Sequence, residues 1–159
     1  MPHQHAGSDS SWRTAVNATL HCLTGCAIGE ILGMALATWW GWHDVPSIAL
    51  AVALAFFFGY LLTFGAARRA GLDVRAAIRL ALAADTASIL VMEIVDNGIV
   101  IAVPGAMESG LASALFWSSL IGSLAIAFVV TVPVNRWMIS RGKGHAVAHA
   151  LHGHPRSGS

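Results

Sequence analysis

The stretch HCLTGCAIGEILGM, residues 21–34, sets an imidazole, two thiols, a carboxyl and a thioether into an otherwise apolar run. Cys22, Cys26, Glu30 and Met34 recur at every fourth position. Gly25, Gly29 and Gly33 do the same beside them, with His21 one step before. Residues four apart share a helix face and drift by about 40° per step, so the two ladders are adjacent stripes of one surface. A glycine stripe lets a second helix approach closely within a membrane. The Cys/Glu/Met stripe is then expected to look into the seam so formed. Thiolate and thioether are soft donors that suit Cu(I) above all, with Zn(II) served if His21 and Glu30 join them. Against this stands packing alone, because a buried cysteine often behaves as a small apolar residue. Glu30 is the hardest member to explain that way: a carboxyl near mid-membrane costs at least about 2.5 kcal/mol and is usually functional.

A second polar stripe crosses residues 85–97. At about 100° per residue, Asp85, Met92 and Asp96 fall within about 20° of one line, flanked by Ser88 and Glu93. No Lys or Arg lies beside these acids within the expected apolar spans, since Arg75 and Arg79 sit only at the start of the third. They must be protonated, bound to a cation, or hydrogen-bonded to groups such as Tyr60, Thr86 or Asn97. The competing explanation is a polar lock between helices. Ser119 and Ser123 form a small hydrogen-bonding face, best explained by packing, and Thr131 and Asn135 are candidates to cap an inner helix end. His145, His149, His152 and His154, with His3 and His5, form His-rich termini. These could collect transition metals weakly or act as a pH-sensitive basic tail near anionic lipid. The expected metal set is His21, Cys22, Cys26, Glu30, Met34, Asp85, Met92, Glu93 and Asp96.

The elements that position these groups are long apolar helices. The chain has 159 residues, is 56% hydrophobic and only 11% charged, whereas soluble domains run near about 25% charged. Apolar runs predict spans at about 17–41, 47–66, 74–103 and 110–134. The third is longer than a bilayer needs, which predicts tilt or an amphipathic first turn. Trp39, Trp40, Trp42, Trp117 and Trp137 sit near span ends as interfacial aromatics. Pro133 is placed to kink or end the fourth span. The expected architecture is all-α: a polar, mobile N-terminal tail (1–16), a bundle of four transmembrane helices (17–138) and a His-rich tail (139–159).

All nine basic residues fall on alternate connections. Arg13 precedes span one; Arg68, Arg69, Arg75 and Arg79 surround the second connection; Arg136, Arg141, Lys143 and Arg156 follow span four. The connections near 43–46 and 104–110 carry none. This is the positive-inside pattern, and it predicts N-in/C-in orientation in a plasma membrane. A net charge of +1 offers no field for nucleic acid. The first apolar run is too long for a cleavable signal peptide. No phosphate-binding glycine loop, HExxH or CxxC is present, so neither an enzyme nor an organic cofactor is expected.

HCLTGCAIGE, LALAADTASILVMEIVDN and VPVNRWMISRG resemble a family of small prokaryotic membrane proteins known as domain of unknown function 4396, over roughly residues 18–150. The resemblance implies a four-helix protein of the bacterial inner membrane and no established activity. It associates some members with copper-handling proteins. The expected function is handling or transport of a soft cation, copper above all by donor chemistry. A proton-linked or small-solute channel is the first alternative, and a non-transporting scaffold the second. The lipid bilayer is the main partner expected. A homo-oligomer is also expected, with the glycine stripe as its candidate contact, and a metal-handling protein follows from the copper reading.

Overall fold

The computed structural model describes residues 5–106 and 108–141. The expected His-rich cluster at His145–His154, with His3, lies outside the described residues. Four helices follow in order: α1 (His5–Trp40), α2 (Val45–Arg69), α3 (Val74–Ala102) and α4 (Ala114–Ser140). Helix α1 starts at His5, well before residue 17 where the first span was expected to begin. Helix α4 passes through Pro133 to Ser140, so this proline does not end it.

The boundaries follow local chemistry. Gly41 ends α1 at φ 69°, and the Trp42 amide donates back to the Ala37 carbonyl at 2.8 Å, a closure that needs the left-handed conformation glycine adopts freely. Asp73 caps α3, its carboxylate accepting from the Arg75 and Ala76 amides at 3.2 and 3.5 Å. The Ser113 hydroxyl accepts from the Leu115 amide at 3.1 Å and starts α4. Arg68 and Arg69 occupy the last turn of α2, where positive charge meets the negative end of the helix dipole.

Short connections make sequential helices antiparallel, and α1 also packs against α4, which closes the bundle. Helices α1 and α3 then run parallel and touch across the interior. Inside, each helix presents small or polar residues at a spacing of three or four. Helix α4 buries Ser123, Ala127, Thr131 and Asn135 in one ladder. Large apolar side chains such as Phe57, Ile94, Ile101, Ile121 and Val129 face outward. Small residues between helices and large apolar residues outside is the arrangement expected where lipid surrounds the bundle.

The glycine stripe of α1 is filled from within the chain. A Cβ on Gly25 would lie 2.7 Å from Gly59 Cα, and one on Gly33 would lie 2.5 Å from Ala51 Cα. Gly29 meets the Ala55 backbone between them. The partner is a matching ladder on α2: Ser47, Ala51, Ala55 and Gly59, all buried. The stripe is therefore an intramolecular seam, which corrects its expected use as an oligomer contact.

Three helices are long and apolar enough to cross a membrane: Trp12–Trp40, Val45–Arg69 and Ala114–Ser140. Helix α3, expected as a fourth span, does not meet that standard. Every 18-residue stretch within it carries at least three charged residues, drawn from Arg75, Arg79, Asp85, Glu93 and Asp96. The three acids point inward, while Leu82, Leu90, Ile94 and Ile101 on the same helix point outward.

The described basic residues gather at one end of the bundle. The Arg136 guanidinium lies 3.9 Å from the centroid of the Trp12 ring, a cation–π contact that joins the start of α1 to the end of α4. The α2–α3 turn, with Arg68, Arg69, Arg75 and Arg79, lies at this same end. The opposite end carries exposed Trp39, Trp40, Trp42 and Trp117.

Candidate functional site

A column of polar side chains runs through the bundle where α1, α3 and α4 meet. Nearest the basic end is Asn135. Its Nδ2 donates to Thr19 Oγ1 at 2.8 Å, its Oδ1 accepts from the Ser88 hydroxyl, and Thr19 donates onward to the Ala15 carbonyl at 2.7 Å. One amide thus joins three helices. The expectation that Asn135 and Thr131 cap a helix end is corrected: both are buried in the interior.

One turn further along α1, the Cys22 thiol donates to Asp85 Oδ1 at 3.6 Å. Thr63 of α2 also faces this carboxyl, and His21 lies within electrostatic range. His21 itself is exposed because it shares the edge of the helix beyond the glycine seam. Cys22, Cys26 and Met92 then meet in one cluster with Ala55, Ile89 and Ala127. The Cys26 thiol faces Glu93, whose Oε2 accepts from Asn97 Nδ2 at 3.1 Å.

Glu30 and Asp96 face each other at the next level. Asp96 Oδ1 accepts from the Ser123 hydroxyl. Glu30 is 6% exposed, and neither of its carboxyl oxygens has a hydrogen-bond partner. Both residues line a cavity of about 40 Å³ with Met34, Asn97 and Ser119, room for roughly three waters. Among the described residues no salt bridge reaches any of these acids. Thr86 and Tyr60, expected as partners for the carboxyls, bond to each other at 2.9 Å instead. Since the Thr86 hydrogen is used on the Leu82 carbonyl at 2.6 Å, Tyr60 is the donor of that pair.

The two polar stripes read from sequence thus converge, pairing Cys22 with Asp85, Cys26 with Glu93 and Glu30 with Asp96. Met92 joins the cysteines, Met34 joins the cavity, and His21 stays outside. Among the described residues no group of three or more His, Cys, Asp or Glu side chains is arranged to hold a metal ion. Asn135 and the α2 ladder were missed as a clamp and as the seam partner. Both carried a signal: Ser119, Ser123, Ala127, Thr131 and Asn135 are spaced by four, as are Ser47, Ala51, Ala55 and Gly59.

The family described as domain of unknown function (DUF4396) matches residues 11–144, all four helices with most of α1. The chain belongs to this family. The matched region contains the whole column, from Thr19 and Asn135 to Glu30 and Asp96. No curated protein and no solved structure matches the chain. The family description carries no activity, so function rests on the chemistry of the column.

Proposed function

We propose that the protein is an integral protein of the bacterial plasma membrane that moves protons, alone or coupled to another cation, along its central column. In this reading α3 is a fourth span, carried by its inward-facing acids and outward-facing aliphatic residues. Both termini are cytoplasmic, because the basic end of the bundle takes the side that positive charge prefers. The function needs neither an enzymatic residue nor an organic cofactor.

The observation that carries this reading is Glu30, buried with two unpartnered carboxyl oxygens opposite Asp96. A structural lock works by satisfying polar groups. Here Asp85 Oδ2 and Glu93 Oε1 also lack partners, and each unsatisfied buried group costs about 1–3 kcal/mol. An arrangement that costly favours a role in which the missing partner is mobile: a proton, a cation or water. This disfavours the scaffold reading. Along α1, Cys22, Cys26 and Glu30 follow at intervals of about 6 Å, steps that single waters or hydroxyls can bridge. The test is proton flux in liposomes containing the purified protein and a trapped pH-sensitive dye, wild type against Glu30→Gln.

A soft cation remains a second reading, favoured by one observation: Cys22, Cys26 and Met92 share a single core cluster. Two thiolates and a thioether suit Cu(I), and a metal-handling partner protein belongs to this reading alone. Metal analysis of the reduced protein, beside Cys22→Ser/Cys26→Ser, tests it. Equal copper content in the two proteins removes the site.

A further inference from the structure

The Glu30–Asp96 cavity has features that a proton path alone does not require. It lies at the end of the bundle away from the basic residues, and its wall includes Ala106 of the α3–α4 connection. Its sides are mostly apolar, Met34, Ile48, Val100, Phe116 and Leu120, with Asn97 and Ser119 among them. Its polar floor is Glu30, 6% exposed, with both carboxyl oxygens unpartnered, and Asp96, whose Oδ1 is already taken by Ser123. Apolar walls with a few placed polar groups are the usual composition of a small-molecule site.

We propose that this cavity binds a short primary alkylammonium ion. The inference rests on the reading that the buried carboxyls are functional, though not on their moving protons. An ammonium head has three N–H donors and no acceptor. The floor presents three oxygens for them: Glu30 Oε1, Glu30 Oε2 and Asp96 Oδ2. A hard divalent ion wants about six oxygen ligands or a shell of retained waters, more than two carboxyls, Asn97, Ser119 and about three waters supply here. The alkyl group lies against Val100, Phe116 and Leu120. A cavity of about 40 Å³ has room for roughly three waters, which accommodates methylammonium or ethylammonium. The ligand enters beside Ala106 of the α3–α4 connection.

The test is calorimetric titration of the full chain in lipid nanodiscs at constant ionic strength. The probes are ethylammonium, sodium, potassium and tetramethylammonium chlorides. Ethylammonium is expected to bind saturably, about tenfold or more tighter than the other three. Tetramethylammonium matches its charge but has no N–H donor. Glu30→Gln is expected to weaken ethylammonium by about tenfold or more. Val100→Phe, which fills the cavity and leaves both carboxyls in place, is expected to do the same and keeps the test alive if Glu30→Gln fails to fold. Sodium or potassium binding as tightly as ethylammonium overturns the ligand class. Absence of saturable ethylammonium binding, or full binding by Val100→Phe, overturns the site. Failure here alongside Glu30-dependent proton flux leaves the proton reading standing. Ethylammonium binding without proton flux removes that reading and leaves this site.

Discussion

Gly29 of α1 is seated against the backbone of Ala55 of α2, with no space for even a methyl group between them. The obstacle is main chain, which cannot rotate aside as a flexible side chain would. Gly29→Ala should therefore cost about 1–3 kcal/mol, the usual range for overpacking, and Gly29→Leu more. Thermal unfolding in detergent measures this, with oligomeric state expected to stay the same because the seam is internal. Unchanged melting of Gly29→Leu would mean that this face looks at lipid.

Asn135 makes the largest set of interhelical hydrogen bonds in the column, to Thr19 and Ser88. Asn135→Ala leaves both hydroxyls without their amide partner. A loss of about 1–3 kcal/mol is expected, read as an earlier midpoint in chemical or thermal unfolding. Asn135→Ala that melts like wild type would show that α4 is held by packing alone.

Ile94 tests whether α3 spans the membrane. It is 64% exposed on the face opposite the acids. On a lipid-facing surface, Ile94→Arg should cost about 2.5–3.5 kcal/mol, seen as reduced membrane insertion beside an unaffected Ile94→Leu. Normal insertion of the arginine variant would place that face in water and remove α3 as a fourth span.

Orientation has its own measurement. In a variant lacking Cys22 and Cys26, a cysteine replacing His43 or Glu108 should react with an impermeant thiol reagent added outside intact cells. A cysteine replacing Ala70 should react only after the membrane is opened. The reverse pattern would contradict the positive-inside assignment.

The carboxyls divide a path from a lock. Glu30→Gln and Asp85→Asn preserve shape and hydrogen-bonding capacity while removing the titratable group. Proton flux through reconstituted liposomes is expected to fall by about tenfold or more in each, at similar expression. Full flux in both amide variants would make the carboxyls neutral hydrogen-bonding groups and return the scaffold reading to first place.

Helical period made the directions within each helix legible from residues alone. Cys22, Cys26 and Glu30 had to share a face, as did Asp85, Met92 and Asp96, because 3.6 residues per turn leaves no other choice. The position of every Lys and Arg sorted the helix ends into one basic set and one without Lys or Arg, a division that the antiparallel bundle keeps for the basic residues among those described. Period says nothing, however, about which helix meets which face. Lipid tails are as apolar as leucine, so hydrophobicity does not choose a neighbour in a membrane. Only the packed bundle matched Gly25, Gly29 and Gly33 to Gly59, Ala55 and Ala51 and brought Asn135 across to Thr19. The parallel contact of α1 with α3 likewise set Glu30 opposite Asp96 and left His21 outside. Those pairings depend on the azimuth and register of one helix against another, which are settled where backbones can approach closely and buried polar groups can meet.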